Sequence, residues 1–457
     1  MLGFLLTIPS MKIDNGIKFM KRRIIACILT FLLMLWATDF YMQDKFDWHI
    51  FVVFLTLGGL ACYKLVDYLA RLKIVEKNSR IDIVFVTAVI AVMFVPVLKI
   101  NHDKISVREN RTLAEYVPLV KDGKINFSYG RNFEEWFNDH FNGREYLIDL
   151  NAKLNLFMNR KLQSETALQG KENWLFTTRW NSTAMFQNKN LFSDKELSEI
   201  KNKMQAIKKW SEKHGIKFYV MLVPDKERLY GEFYPDGYAK ENEISRLEQL
   251  TNYLQQNTDV NVIDIYKALL AQKSKYTLFY KTGTHWNLRG AFVGYQEMMK
   301  RLNSDFRDLN ILQERDFVIE NKREADVDIA SALGVDAYKT FPDEDLTYEV
   351  FTVRNPKTKQ DYQMLDKEKR IELYSYKSDD KAKHRKAVFF ADSQFLRMNW
   401  YVAESFAEML HIYVGYGRMY DLPFMSDEIV KFKPDIFVLE TGERFLERLL
   451  EIDVPEE

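Results

Sequence analysis

The chain is short of the residues that build cross-linked or metal-bound cores. It has two cysteines in 457 residues, Cys27 and Cys62, both in apolar stretches near the N-terminus. The remainder therefore has no disulfide option and no thiolate metal site, whatever compartment it occupies. Net charge is also lacking: Lys+Arg and Asp+Glu are both 65, which removes nucleic acid from the leading partners. There is no Walker loop, Rossmann glycine set or zinc-protease helix, so no cofactor is called for. Asp326 and Asp328 lack a spaced His or Cys partner, and a structural role is expected for them rather than metal binding. Internal repeats, low-complexity tracts and long linkers are missing too.

Length and hydropathy patterning set the organisation. A chain of 457 residues has room for a membrane region and a domain that buries its own core. Aromatics make up 14%, which suits a large core better than a carbohydrate-facing groove. Apolar runs extend from Ile24 to Tyr41, Ile50 to Leu69 and Ile83 to Leu98, each near the ~20 residues that cross a bilayer as a helix. A cleavable leader accounts for the first run but not the other two, so three transmembrane helices are expected within residues 1–100. Lys18, Lys21, Arg22 and Arg23 precede the first run, and Arg71, Lys73, Lys77 and Arg80 follow the second. By the positive-inside rule the N-terminus is cytoplasmic, the protein is a multi-pass cell-membrane protein, and residues 101–457 form an extracytoplasmic domain. Without charge near the helix centres, a channel or transporter is poorly supported.

Beyond Asn101 the pattern is that of a soluble α/β domain. Lys201 to His214 and Glu241 to Gln256 carry spaced apolar residues among charges, as amphipathic helices do. Short apolar runs, Ile216 to Val223, Val260 to Ile265, Ala387 to Phe390, His411 to Val414 and Asp435 to Leu439, read as strands. Strands alternating with helices predict a mostly parallel sheet flanked by helices, with ligands at the strands' carboxyl ends. Those ends carry Asp225 and Lys226, Asp392 and Ser393, and Glu443 and Arg444. The charged stretch Asn355 to Asp380 reads as a surface excursion.

Two sites carry candidate chemistry. Ser393 follows an apolar strand-like run and precedes a helix-like segment, Phe395 to Leu410, a junction that exposes a side chain and aims backbone N–H groups at a ligand. An ordinary helix-capping serine fits the same place. His285 follows the loop Lys281 to Thr284 and precedes a helix starting near Gly290, where a structural histidine is equally at home. Together they suggest a serine nucleophile with a histidine base. Asp225 and Lys226 read either as substrate contacts or as ordinary turn residues. Glu134, Glu135, Asp139 and His140 fit a solvated amphipathic helix.

Ordered blocks link the outer domain to a known group. They are Glu109-Asn110-Arg111, Phe133 through Phe141, Gly143-Arg144, Gly170 through Phe176, Val223 through Lys226, Tyr280 through Asn287 with Gly290-Ala291, Ala391-Asp392-Ser393, Pro434-Asp435 and Glu443-Arg444. With them the chain resembles the alginate O-acetyltransferases among SGNH hydrolase-like proteins, the AlgJ and AlgX type also described as DHHW proteins. As in that branch, the histidine precedes the serine. The resemblance implies an SGNH hydrolase-like α/β fold and acetyl transfer to a cell-surface or exported polysaccharide, with a membrane-bound O-acyltransferase partner supplying acetyl. It makes Ser393 the nucleophile and His285 the base, with Asp225, Lys226, Trp286, Asn287 and Arg444 as possible substrate or supporting residues.

One position departs from the family pattern. Its motif reads Asp-Thr-His-Trp, and the Asp orients the histidine; here Gly283 stands in that place. Three readings remain open at this level: another carboxylate, Asp225 among the candidates, orients His285; a Ser-His dyad works slowly; or the fold survives as a silent glycan-binding or scaffolding subunit. An acetyl esterase would use the same residues and differ only in the acceptor.

Overall fold

A computed structural model describes residues 100–455, apart from 107, 110, 122–123, 142–143, 159, 367–370 and 415–421. The three apolar runs lie outside the described residues, and no helix among the described ones is long and apolar enough to cross a membrane. The chain divides into two compact units. The first includes residues 100–105 and Leu113–Arg144. Its helix α1 (Tyr129–His140) turns Trp136 and His140 inward. The His140 ring stacks on Trp136 at 5.2 Å and meets the carbonyls of Asn101 and Ala114 at 2.7 and 2.9 Å. His140 is thus a satisfied core residue on an amphipathic helix.

The second unit, Ser106–Thr112 with Glu145–Glu457, holds the sheet. In chain order it contains α2 (Asp194–Lys213), β1 (Lys217–Val223), α3 (Arg246–Asn257), β2 (Asn261–Asp264), α4 (Leu288–Phe306), β3 (Phe317–Arg323), α5 (Asp328–Ala332) and β4 (Thr347–Val353). There follow β5 (Thr358–Asp366), β6 (Ile371–Ser378), β7 (Lys386–Ala391), β8 (Glu408–Val414), α6 (Leu422–Phe432) and β9 (Ile436–Gly442). Capping boxes start α2 at Ser193/Glu196 and α3 at Ser245/Glu248, each satisfying end N–H groups of its helix.

Seven strands pair in the order β5-β6-β8-β7-β9-β1-β2. From β8 to β2 every neighbour is parallel, while β5–β6 and β6–β8 are antiparallel. Strand periodicity sends alternate residues to opposite faces. Tyr219, Met221, Phe389 and Val438 enter one core, packed with Ala291, Tyr295, Met298 and Leu302 of α4. Phe218, Val220, Phe390 and Leu439 enter the other, packed with residues of α2, α3 and α6. Burial on both faces explains why these strands read as continuous apolar runs.

Two expectations are corrected. Asn355 to Asp380 is not a loop excursion, because β5 and β6 extend the sheet across it. Ile371 and Tyr376 of β6 are buried and the strand pairs with β8, whereas β5 is mostly exposed and carries the charges typical of a protected sheet edge. Phe395 to Leu410 is not one helix either. It is two 3-10 turns, Phe395–Arg397 and Ala403–Ser405, around the short helix Asn399–Val402, and its end already belongs to β8. Phe395, Met398, Tyr401 and Val402 are all core residues, so packing dictates short turns where an amphipathic helix would need a polar face.

Candidate active site

The turn that carries Ser393 hangs from the carboxyl end of β7. Asp392 donates its backbone N–H to Glu440 Oε2 at 2.9 Å, and its carboxylate accepts from the backbone N–H groups of Gly442 at 2.8 Å and Gln394 at 2.7 Å. The turn is thereby pinned to the neighbouring strand β9. Burial, and after it the Asp392 carboxylate beside it, pushes the Glu440 carboxyl well above the usual range. Ser393 caps no helix, since the 3-10 turn that follows has Gln394 at its N-cap position and no side-chain cap. The half-buried Ser393 instead aims its hydroxyl at His285, with Oγ 2.9 Å from Nε2.

The histidine loop is held from behind by buried charge. Lys226, fully buried at the end of β1, donates to the carbonyls of Tyr280 at 3.2 Å, Lys281 at 3.4 Å and Gly283 at 2.5 Å. Burial pushes its ammonium down to about 8. Arg444 bonds the Thr284 carbonyl at 3.1 Å and clasps Asp225 Oδ1 through two N–H groups at 2.8 and 2.5 Å. Burial raises the Asp225 carboxyl, and Arg444 pulls the other way. Trp286 is wholly buried and donates its indole N–H to the Gln394 carbonyl at 2.9 Å, tying the two loops together. Asn287 caps α4 by accepting from Gly290 N–H at 2.9 Å. All five residues expected to touch substrate or support the site are buried.

Asp225, the carboxylate named from sequence as a possible partner of His285, is therefore engaged by Arg444 instead. The group that meets the imidazole is Asp326, from the segment joining β3 to α5: its Oδ2 lies 2.5 Å from His285 Nδ1. With Nδ1 protonated, the ring donates to Asp326 and leaves Nε2 to accept from Ser393. Burial alone would raise the Asp326 carboxyl; the His285 ring and then Arg397, whose Nη2 is 2.9 Å from the same oxygen, outweigh it and hold the group well below the usual range. The sequence showed no spaced His beside Asp326; the fold brings His285 to it.

Gly283 explains how Asp326 arrives there. A Cβ on Gly283 would lie 2.5 Å from Asp326 Cβ, 2.6 Å from its Cγ and 2.7 Å from its carbonyl oxygen. The missing side chain is the space the Asp326 segment fills. Around that contact, Thr282 Oγ1 donates to the Asp326 carbonyl at 2.8 Å, while Asp328 accepts from Thr284 N–H at 2.8 Å and from Thr284 Oγ1 at 2.5 Å. No sequence signal marks this, since Asp326 follows Gly283 by 43 positions and carries no motif of its own.

Donor atoms of His285, Asp326 and Asp328 lie within 4.8 Å of one another, the one such set among the described residues with the ligand types for a metal ion. In the structure these atoms already bond one another, Thr284 and Arg397.

A mostly parallel sheet flanked by helices, with its polar loops at the strands' carboxyl ends, defines an α/β protein. Residues 167–373 match the family described as SGNH hydrolase-like domain, acetyltransferase AlgX. Over that region the chain is AlgJ/AlgX-like. The probable alginate O-acetylase AlgJ of Pseudomonas syringae pv. tomato is 23% identical over 190 residues, 41% of this chain and 46% of that protein. The chain thus spans less than half the length of this curated relative. Among solved structures, a DHHW family protein from Eubacterium siraeum is 14% identical and covers 65% of this chain and 98% of its own, with a TM-score of 0.46. The O-acetyltransferase domain of Pseudomonas putida AlgJ is 17% identical, covers 63% and 94%, and has a TM-score of 0.41.

Proposed function

We propose that this protein is a membrane-anchored O-acetyltransferase that modifies an exported or cell-surface polysaccharide through an acetyl-enzyme on Ser393. The observation that carries the reading is the chain Ser393 Oγ, His285 Nε2 at 2.9 Å, His285 Nδ1, Asp326 Oδ2 at 2.5 Å. In the first half-reaction His285 Nε2 takes the Ser393 proton as Oγ attacks the acetyl carbonyl, then returns it to the departing donor group. In the second, Nε2 takes the proton of a sugar hydroxyl as that oxygen attacks the acetyl-serine, and the proton passes back to Ser393 Oγ. Asp326 keeps the ring in the required tautomer and stabilises the imidazolium formed in each half. Anchoring and outward orientation rest on the three apolar runs and their flanking charges. A membrane-bound O-acyltransferase partner as acetyl supplier rests on the family resemblance.

Polymer acetylation in cells with wild-type protein or Ser393→Ala at equal protein levels tests this; unchanged acetyl content in the variant would sink it. A silent glycan-binding subunit is the weaker reading, because a carboxylate supports His285 despite Gly283. An acetyl esterase has the same geometry, so product analysis with water and oligosaccharide as competing acceptors separates the two.

A further inference from the structure

Arg397 sits where a residue can govern the His285–Asp326 pair without touching the reacting atoms. It ends the 3-10 turn Phe395–Arg397, which begins two residues after Ser393. Its Nη2 donates at 2.9 Å to Asp326 Oδ2, the oxygen that His285 also uses. Ser393, His285, Asp326 and Arg397 therefore close a ring, with three residues of backbone between Ser393 and Arg397. Asp326 belongs neither to the nucleophile turn nor to the histidine loop, so the triad exists only while three separate segments stay in register. Arg397 is the side chain that ties the nucleophile turn directly to the acid.

Exposure and charge agree with that task. Asp326 and His285 side chains are 11% and 13% exposed, whereas Arg397 is 34% exposed and lies 5.5 Å from the Tyr280 ring centre. A guanidinium that supports a carboxylate in its plane leaves the carboxylate fewer orientations than a single bond to imidazole would. Other charged groups face the pair from each packed element. Asp328 clamps Thr284 beside it, Lys226 bonds the Gly283 carbonyl and Arg444 the Thr284 carbonyl. Among these cations Arg397 is the one bonded to the acid itself.

Resting on the acyl-transfer reading, we infer that Arg397 is a positioning residue that fixes Asp326 against His285. The full-length protein is assayed with a chromogenic acetyl ester as wild type, Arg397→Gln and Arg397→Lys, with thermal melts to show folding. Arg397→Gln should lose roughly 10- to 100-fold in kcat with the ester KM little changed, as a misplaced catalytic group does. Arg397→Lys should recover part of kcat. A glutamine variant with unchanged kcat, or one changed only in KM, would overturn the inference. Labelling by a serine-directed phosphonate separates the two failures: no labelling of wild-type Ser393 defeats the acyl-transfer reading, whereas equal labelling rates in wild type and Arg397→Gln defeat only the role of Arg397.

Discussion

Asp326 occupies the place that a side chain on Gly283 would need, its Cβ, Cγ and carbonyl oxygen all within 2.7 Å of where a Cβ at 283 would stand. Oδ2 of the same residue is 2.5 Å from His285 Nδ1. The glycine that breaks the family motif and the aspartate that meets the histidine are two halves of one arrangement.

Asp326→Asn keeps the shape of the contact and removes the charge. The rate of acetyl-ester turnover should fall by about 10⁴, the scale of the loss when a triad acid is replaced by its amide. Far-ultraviolet circular dichroism should match wild type. A loss below tenfold would mean that His285 works without the acid.

Exchange of the two positions is a direct test of their equivalence. Gly283→Asp alone overpacks the loop against Asp326 and should lower stability by about 1–3 kcal/mol in urea titrations, with little activity left. Combining it with Asp326→Gly removes the side-chain part of the crowding, leaving the carbonyl of residue 326 to shift, and moves the acid to the family's position. Turnover of the double variant should exceed that of both single variants, and a double variant as inactive as Asp326→Gly would refute the equivalence.

Arg444 and Asp225 are buried partners behind the histidine loop. Arg444→Met should cost on the order of 3–5 kcal/mol, because Asp225 is left without its counter-charge. Asp225→Leu with Arg444→Met should cost less than Arg444→Met alone. Equilibrium unfolding of the three proteins reads this difference.

Lys226 gives a pH signature of opposite sign to that of a surface pair. In the folded protein its value is about 8 against an ordinary 10.5, so between these pH values the unfolded chain binds more protons. Unfolding free energy should therefore rise with pH across that window, by an amount on the order of 3 kcal/mol for this group, and level off above it. Lys226→Met should lack that increment when compared with wild type across the same pH range.

Sequence alone determined the layering and singled out the Ser393–His285 pair. Strands with apolar residues on both faces read as buried parallel strands, and Ser393 and His285 were marked by their positions at strand and loop ends. Local patterns suffice there because periodicity and loop chemistry are short-range properties. The same reasoning could not see that Phe395 to Leu410 breaks into turns, since that segment answers to the core around it. Nor could it see that charged β5 completes a sheet. The acid of the site depended wholly on tertiary structure. Asp326 has no local signature, and it reaches His285 only because Gly283 leaves a gap that the chain fills after folding brings position 326 back against position 283.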